Sequence, residues 1–386
     1  MENFEFYNPV RILFGKGKIS EIATHIPSKG KIMLCYGGGS IHKNGVYKQV
    51  IAALGDRDFI EFGGIMPNPE FEYLLPAIEI VKNENIEFLL AVGGGSVIDA
   101  TKFIVAAAIF EGNDPWTILS EFAAVKSAIP FGVVLTLPAT GTEMNGNSVI
   151  TKAETQDKLA FSSPHVLPQF SVLDPELTYS LPQKQVVNGV IDAFIHVMEQ
   201  YLTYPSDAPV QDAYAESLLN ILKDEGSKAN KLEKPDYNNR ANIMWAATNA
   251  LNHFLSMGVQ TDWSTHVLGH ELTALHGLDH AVTLAIVLPG VMEAMKEQRK
   301  ERLLQYAENI WGLTGFDHNL VIEESIRNTE QFFLDMGVKV RLSDYDIGQE
   351  TIEMILERFK SRGLTYLGRC EDVHLDHVRN ILESRL

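Results

Sequence analysis

The stretch FLLAVGGGSVIDATKFIVAAAIF, residues 88–110, decides the fold of the first half of this chain. A strand-length apolar run ends in a glycine cluster, and a helical pattern follows it. The same order occurs at KIMLCYGGGS (31–40), and a third apolar run, FGVVLTLP (131–138), ends in ATGTE (139–143). Each glycine cluster is therefore expected to lead from a strand into a helix. Strands with few polar positions that alternate with helices predict a mostly parallel α/β sheet covered on both faces.

The pattern changes near residue 180, where Ser180-Leu181-Pro182 fits a helix N-cap followed by an early proline. Helical patterns then continue almost to the end of the chain, for example in RANIMWAATNALNHFLSMG (240–258), and strand patterns are scarce. A chain of 386 residues exceeds a single ordinary core. We predict an α/β domain at residues 1–178 and an all-helical domain at residues 179–386.

Charge and composition argue against several classes of partner. The 50 acidic residues outnumber the 32 basic ones and give a formal net charge of −18, which repels nucleic acid and anionic lipid. No run approaches the ~18 apolar residues of a membrane span, and the N-terminus lacks a basic segment followed by an apolar one. We therefore expect a cytoplasmic protein with no nucleic-acid or membrane partner. Because Cys35 and Cys370 are the only cysteines, we expect neither a disulfide nor a thiolate metal site.

Two segments carry residues of the kind that bind metals. Asp192 and His196, in VIDAFIHVMEQ, stand four residues apart in a helical pattern, so both point off one face of the helix. A lone Asp or His on a helix is usually a solvated or capping side chain. Several such residues in two clusters on apolar helices reverse that balance, since they would otherwise bury uncompensated polar groups.

The second segment, THVLGHELTALHGLDHA (265–281), supplies the other half of the site. It holds the histidines His266, His270, His276 and His280. Spacing alone does not choose between His270 and His280 as the third imidazole. His266 and His270 could also chelate one ion together, as in the HExxH zinc proteases. However, Val267 occupies the position of the catalytic glutamate in that motif, so a metalloprotease is not expected.

The glycine clusters predict a nucleotide site. A strand that ends in GGGS and enters a helix exposes backbone N–H groups at a positive helix end, which suits phosphate. A single such turn could simply let the chain reverse tightly. Three turns at strand carboxyl ends, where open α/β sheets bind ligands, favour a nucleotide, although the GxGxxG spelling of a standard dinucleotide site is absent.

These motifs together resemble a known family. GGGSVIDATK (93–102), TLPATGTEMNGNSVIT (136–151), the DAFIH pair and the HxxxH…HGxxH block are similar to the iron-containing (group III, metal-dependent) alcohol dehydrogenases. The similarity covers essentially the whole chain and is closest to the NADPH-dependent aldehyde reductase and butanol dehydrogenase branch. It implies a dinucleotide-binding α/β domain followed by an all-α domain, the dehydroquinate synthase-like architecture, with metal and nicotinamide in a cleft. It also implies a homodimer.

The resemblance assigns roles to individual residues. The implied metal ligands are Asp192, His196, His266 and His280, and the expected catalytic residues are Asp192, His266 and His270. His270 would be a proton relay or a substrate contact. The role of His276 stays open between a solvent-facing residue, a cofactor contact and a charge partner of the helix C-terminus.

The implied cofactor site is larger. Gly94, Gly95 and Ser96 would hold the pyrophosphate, with Asp99 nearby. Thr136 and Thr140 would contact the adenine side of the cofactor. Lys158 would reach the nicotinamide ribose. Asn147 and Val149 would also edge the substrate pocket, with Trp263 as a further pocket candidate. The implied cofactor-binding residues are Gly37, Gly38, Gly39, Ser40, Asn68, Gly94, Gly95, Ser96, Asp99, Thr136, Thr140, Asn147, Val149 and Lys158.

The first glycine turn favours NADP(H) over NAD(H). Enzymes that select NAD typically place a carboxylate after a strand, where it binds the ribose 2′-OH and repels a 2′-phosphate. No acidic residue follows KIMLCY within residues 37–43. Gly38 leaves room for a phosphate, Ser40 can donate a hydrogen bond and Lys43 adds positive charge.

The ligand set suggests a mechanism. Three neutral imidazoles and one carboxylate leave a divalent ion with a net charge of about +1, which can act as a Lewis acid on a carbonyl oxygen. Hydride transfer from the nicotinamide would then reduce a short- or medium-chain aldehyde to a primary alcohol, or oxidise the alcohol in reverse. We expect Fe²⁺ or Zn²⁺, and the nitrogen and oxygen ligands are also compatible with Mn²⁺, Co²⁺ and Ni²⁺.

Two other classes of function remain as alternatives. The first is a metal- and NAD-dependent lyase of the dehydroquinate synthase type, which would need a cluster of Arg and Lys to bind a polyanionic sugar acid; the ligand-bearing segments contain no such cluster. The second is a binding module without turnover. It predicts that added aldehydes cause no oxidation of NADPH.

Overall fold

The computed structural model describes all 386 residues, which form two compact units. The sheet unit comprises Tyr7–Val186 and Glu233–Asn252, and the helical unit comprises Met1–Phe6, Val187–Leu232 and His253–Leu386. The predicted fold class, a mostly parallel α/β sheet followed by an all-helical part, is confirmed. The predicted domain boundary between residues 178 and 179 stays a prediction.

The sheet unit is built on six parallel strands. They are β1 (Arg11–Phe14), β2 (Lys31–Tyr36), β3 (Phe59–Phe62), β4 (Ile86–Gly94), β5 (Phe131–Leu137) and β8 (Phe170–Leu173), and the order across the sheet is β1-β8-β5-β4-β2-β3. Every neighbouring pair is parallel. Because β2 continues to β3 on one side while β4 continues to β5 on the other, the strand order reverses between β2 and β4. Open α/β sheets bind ligands at the carboxyl ends of strands beside such a reversal.

Both faces of this sheet are covered, as the apolar strand sequences predict. Met33 and Cys35 on β2 point into a core that contains the helices α3 (Phe71–Asn83) and α4 (Gly95–Ala107). Their neighbour Leu34 points into a second core on the opposite face. The remaining helices of this unit are α1 (Ser40–Lys43), α2 (Val46–Leu54), α5 (Thr117–Ser120) and α8 (Tyr237–Ala250), with 3-10 helices at Lys18–Thr24, Thr142–Met144, Pro164–Val166 and Pro175–Thr178.

The prediction that the third glycine cluster enters a helix is wrong. After β5 the chain makes only the short 3-10 helix and then an antiparallel hairpin of β6 (Asn147–Lys152) and β7 (Asp157–Ser162). The reason is the buried side chain of Lys102 on α4, whose Nζ donates to the backbone oxygens of Thr142, Asn145 and Asn147 at 2.6–2.8 Å. Three carbonyl oxygens that converge on one Nζ cannot also point in parallel along a helix axis, as the carbonyls of an α-helix do.

The other helices all lie in the C-terminal part of the chain. They are α6 (Gln183–Tyr201), α7 (Pro209–Lys231), α9 (Ser264–His276), α10 (His280–Ala294), α11 (Lys300–Trp311), α12 (His318–Asp335), α13 (Gln349–Ser361) and α14 (Leu375–Glu383), with a 3-10 helix at Ser343–Tyr345 and two-residue strands β9 (Tyr366–Leu367) and β10 (Val373–His374). None of the helices combines the length and the apolar character that crossing a membrane would require.

The helix predicted at residues 240–258 is longer than the helix in the structure. Helix α8 ends at Ala250, Leu251 leaves the helical region with φ −142° and ψ 47°, and His253 is left-handed with φ +71°. Asn145 Nδ2 donates to the Leu251 carbonyl oxygen at 2.9 Å, so a side chain takes an acceptor that a longer helix would use. Apolar periodicity does not reveal such a competing donor.

Candidate metal centre and nucleotide site

One face of α6 carries three buried polar residues. Asp192, His196 and Glu199 follow a spacing of four and then three residues, which places them on the same side of a helix. Each is only 3% exposed. Burying polar side chains without partners is costly, so this face must meet groups that satisfy them.

The histidine-rich segment forms a tight helical hairpin opposite these residues. Helix α9 ends at His276 and Gly277 takes the left-handed conformation, with φ +67°, while its N–H donates to the Thr273 carbonyl oxygen at 2.8 Å. A glycine at this position ends a helix without the strain that a side chain would cause. Helix α10 begins at His280, and the ring centroids of His266 and His280 lie 5.3 Å apart.

The predicted ligands lie close together in the helical unit. The ligand atoms of Asp192, His266 and His280 all lie within 4.8 Å of one another. Nε2 of His280 is 3.7 Å from Oδ1 of Asp192, and Nδ1 of His196 is 3.8 Å from the same oxygen. The ring of His196 stacks on the ring of His266 with centroids 4.7 Å apart. The structure therefore groups three of the predicted ligands tightly and places the fourth beside them.

The chemistry of these residues fits a divalent cation. Nε2 of His266 and Nδ1 of His196 are buried and accept or donate no hydrogen bond, which is unusual for polar atoms in a protein interior. Burial, with a further contribution from His266, lowers the pKa of His196 well below its usual value, so this imidazole is neutral. Neutral imidazoles and a carboxylate are ligands for Fe²⁺ or Zn²⁺.

His270 lies at the edge of this cluster and does not belong to the tight group. Its ring centroid is 5.2 Å from that of His280 and 6.3 Å from that of His266, and the residue is partly exposed. His276 is exposed at the end of α9, with Nε2 3.0 Å from the Thr351 hydroxyl. Its role stays open among the three given above.

Trp263 packs against two of the predicted ligands. Its ring centroid lies 5.3 Å from that of His266 and 6.2 Å from that of His196. The residue precedes α9 with a left-handed backbone, φ +80°, which costs on the order of 1–3 kcal/mol for a residue other than glycine. Strain of this kind is frequent where the surrounding structure fixes a functional site.

Glu199 is a residue that the sequence reasoning missed. Its carboxylate accepts hydrogen bonds from the backbone N–H groups of Thr265 and His266, at 2.6 and 3.3 Å, and its Oε2 also contacts Nδ1 of His266. The signal available in the sequence was the position of this acid on the same helix face as Asp192 and His196. No spacing within the sequence could have shown that it reaches α9.

In the sheet unit, the two GGGS turns lie at the reversal of strand order. Gly37, Gly38 and Gly39 follow β2, and the second turn joins β4 directly to α4. Helix α4 has no side-chain cap, so the N–H groups of its first turn suit an anionic ligand. A Cβ atom on Gly95 would lie 2.6 Å from Oγ1 of Thr140, so the second GGGS turn and the ATGTE cluster lie in close contact here. The structure thus brings together several of the predicted cofactor residues.

Other predicted cofactor residues also meet. Nζ of Lys158 on β7 lies 2.9 Å from Oδ1 of Asn68, whose left-handed backbone has φ +55°. Thr136 is the penultimate residue of β5, at the same carboxyl edge of the sheet. Whether these residues bind a nucleotide stays a prediction.

Asp99 holds the hairpin beside the turns. Its carboxylate accepts from the Thr142 hydroxyl at 2.7 Å and from the Val149 N–H at 3.1 Å. Burial raises the pKa of Asp99, and nearby Lys102 acts in the opposite direction. In the structure Asp99 thus anchors β6, which carries Asn147 and Val149, and its place near a pyrophosphate stays a prediction.

Comparison with known proteins gives full-length similarity. A family model described as iron-containing alcohol dehydrogenase matches residues 9–175, and one described as Fe-containing alcohol dehydrogenase family, C-terminal, matches residues 186–386. The chain is 50% identical over 386 residues, all of both chains, to NADPH-dependent aldehyde reductase YqhD of Escherichia coli (strain K12). It is 38% identical over 392 residues, again covering both chains, to probable NADH-dependent butanol dehydrogenase 1 of Bacillus subtilis (strain 168).

A solved structure is similar over the same length. The substrate- and cofactor-free form of the aldehyde reductase YqhD from E. coli matches with a TM-score of 0.92 at 49% identity and covers 100% of both chains.

Replacing His266 by Ala is expected to abolish stoichiometric metal binding. The variant loses a predicted ligand whose nearest partners are Asp192 and His280, so metal affinity should fall by more than the ~10–100-fold typical of losing a group that only supports a ligand. His276→Ala is the matched control, because it removes a histidine from the same helix outside the cluster. Metal content after dialysis, measured by mass spectrometry, checks this. Equal metal content in both variants would remove His266 from the ligand set.

Proposed function

This chain belongs to the iron-containing alcohol dehydrogenase family, and from that premise we propose that it is an NADP(H)-dependent aldehyde reductase. It would reduce short- and medium-chain aldehydes to primary alcohols and catalyse the reverse oxidation. The observation that carries the proposal is the buried convergence of Asp192, His266 and His280 in the helical unit. The metal-dependent lyase alternative is not favoured, since the full-length relatives are named as reductases and dehydrogenases.

The residues of the helical unit would hold the metal and keep it reactive. Asp192 contributes one negative charge, while His196, His266 and His280 contribute neutral nitrogens, so the set neutralises only part of a divalent charge. When bound, the metal supplies a Lewis acid for the carbonyl oxygen and the nicotinamide supplies a hydride. The burial of Asp192 and His196 excludes water from one side of the site and strengthens its electrostatic interactions.

His270 would move the proton. It is partly exposed and lies next to His280 without joining the tight group of ligand atoms. Reduction of an aldehyde requires one proton on the oxygen in addition to the hydride. A histidine is suited to this transfer near neutral pH.

The first glycine turn would select NADP(H). Gly38, Ser40 and Lys43 are exposed after β2, and no carboxylate stands among residues 37–43 to repel a 2′-phosphate. The E. coli relative is NADPH-dependent, whereas the B. subtilis relative is named as NADH-dependent. The greater identity to the NADPH-dependent enzyme agrees with the residues of the turn.

We further propose that the protein is a cytoplasmic homodimer. Its N-terminal arm leaves Phe4, Phe6 and Tyr7 between 42% and 76% exposed, and apolar rings in a row are typical of a surface that another chain covers. The net charge of −18 argues against nucleic-acid and membrane partners. The expected partner is the small aldehyde or alcohol.

The proposed activity is tested by incubating the purified chain with Fe²⁺ or Zn²⁺, NADPH and butanal, propanal or glyoxal. We expect NADPH absorbance to decrease only when aldehyde is present and to stop decreasing after a chelator removes the metal. A protein that binds NADPH but oxidises none with any of these aldehydes and metals would be a binding module, and the proposal would fail.

His270→Ala is expected to retain its metal and to lose turnover. Removing a general acid lowers kcat by about 10²- to 10⁴-fold, while the ligands Asp192, His266 and His280 are untouched. Steady-state kinetics and metal analysis of the same preparation check both halves of this expectation. Full turnover would exclude a proton-transfer role, and loss of metal would place His270 among the ligands.

Gly38→Asp is expected to shift cofactor preference from NADPH toward NADH. A Cβ at this position meets no atom within 4 Å and the backbone φ is not positive, so the side chain fits without strain. The new carboxylate repels a 2′-phosphate, and the ratio of kcat/KM for NADPH to that for NADH should fall at least ~10-fold, equivalent to ~1.4 kcal/mol. Gly38→Asn controls for side-chain size. The prediction is contradicted when Asn changes the ratio as much as Asp does, or when the unsubstituted protein already prefers NADH.

A further inference from the structure

Helix α9 begins without a capping side chain of its own. Its N-cap residue is Trp263, whose left-handed backbone and indole ring offer no acceptor to the first N–H groups of the helix. Helix N-termini expose several such donors, and an unsatisfied buried donor is costly. The residues Thr265 and His266 that carry these N–H groups are buried. An acceptor must therefore come from elsewhere in the fold.

Glu199 on α6 supplies that acceptor. Oε1 accepts from the Thr265 N–H at 2.6 Å, and Oε2 accepts from the His266 N–H at 3.3 Å. The Glu199 carbonyl oxygen also accepts from the Asp262 N–H at 2.8 Å, just before the helix begins. One glutamate thus fixes both the position and the starting direction of α9 relative to α6.

The same carboxylate contacts the ring of His266. Oε2 of Glu199 is the hydrogen-bond partner of Nδ1, and a carboxylate can only accept, so the proton of the neutral imidazole resides on Nδ1. The lone pair is then on Nε2, which is the buried ring atom that lacks a hydrogen-bond partner. This is the nitrogen that a metal ion would need.

The carboxylate of Glu199 accepts hydrogen bonds from the N–H groups of Thr265 and His266. The nearby guanidinium of Arg299 pairs instead with Asp262 at 2.9 Å and with Asp372 at 3.2 Å, so it does not neutralise Glu199 through an ion pair. A carboxylate that accepts from the far nitrogen of a ligating histidine orients the ring and increases the basicity of the ligating nitrogen.

We infer that Glu199 is a positioning residue of the metal centre, which holds the His266 ring in the tautomer that presents Nε2 to the cation while capping the helix that carries it. The inference rests on the proposed function, since it requires Asp192, His196, His266 and His280 to bind a metal. Glu199 itself is not a ligand. It acts through His266.

Two substitutions separate the charge of Glu199 from its shape. Glu199→Gln keeps the size, but one oxygen becomes an NH₂ group, so either Thr265 or His266 faces a donor where it met an acceptor. Glu199→Asp keeps the charge and both oxygens on a side chain shorter by one methylene. If charge and acceptor capacity matter, the Asp variant should recover part of what the Gln variant loses.

The experiment is a titration of each apo protein with Co²⁺, followed through the visible absorption of the bound ion, with zinc competition to obtain Kd. We expect Glu199→Gln to weaken metal binding by about 10- to 100-fold and to change the cobalt spectrum, because the geometry at His266 is altered. Glu199→Asp should bind metal with an intermediate affinity. Thermal unfolding of the apo proteins measures the loss of helix capping separately.

Asp317→Ala is the matched control for capping. The Asp317 carboxylate accepts from the N–H groups of Asn319 and Leu320 at the start of α12 and contacts no predicted ligand. Because alanine offers no side-chain acceptor, this variant should have a lower unfolding temperature with unchanged cobalt affinity and spectrum. The inference is overturned if Glu199→Gln behaves like Asp317→Ala, with reduced stability but unchanged Kd and spectrum. Failure of the unsubstituted protein to bind cobalt would overturn the proposed metal centre, and this inference with it.

Discussion

The helical unit depends on the burial of one carboxylate and several imidazoles against one another. Nitrogen and oxygen lone pairs that point to a common region in a protein interior repel each other, and no protein donor is bonded to His196 Nδ1 or His266 Nε2. A cation at that region turns the repulsion into attraction and supplies the partner that buried polar atoms require. We infer that α6 and the α9–α10 hairpin share one ion.

Both units bury charged side chains, among them Lys102 in the sheet unit and Asp192 in the helical unit. In the sheet unit, a buried cation is provided by the protein itself: Lys102 draws the backbone oxygens around the third glycine cluster toward α4, although burial lowers its pKa to about 7. In the helical unit, the protein provides buried anions and neutral bases around Asp192. Glu199 adds a second carboxylate, which contacts Nδ1 of His266 on the side of the ring away from Nε2.

Much of the architecture could be predicted from the sequence because it follows from apolar periodicity. The strand and helix patterns around the two GGGS turns predicted the parallel sheet, and the four-residue spacing of Asp192 and His196 placed these two side chains on one face of α6. The errors arose where a distant side chain overrides local pattern. Lys102 prevents a helix after ATGTE, and Asn145 takes the carbonyl oxygen at Leu251 where α8 was expected to continue.

The histidines likewise could not be distinguished from local sequence pattern alone. Spacing left His270 and His280 equivalent, and the difference between them appears only when the turn at Gly277 places His280 at the start of α10, next to Asp192. The contacts of Glu199 could not be predicted from the sequence either, since its partners lie 66 and 67 residues away along the chain. Contacts of this range depend on helix packing, which a motif does not encode.

The shared metal site can be observed in a crystal structure of the chain grown with Co²⁺ or Zn²⁺, with anomalous difference maps recorded at the absorption edge of the metal. We expect a single strong peak within about 2.0–2.2 Å of a carboxylate oxygen of Asp192 and of ring nitrogens of His196, His266 and His280. The other group of potential ligands, Asp262, Cys370 and Asp372, also has ligand atoms within 4.8 Å of one another. A peak at that group, or no peak beside Asp192, would show that Asp192 and the three histidines do not share an ion.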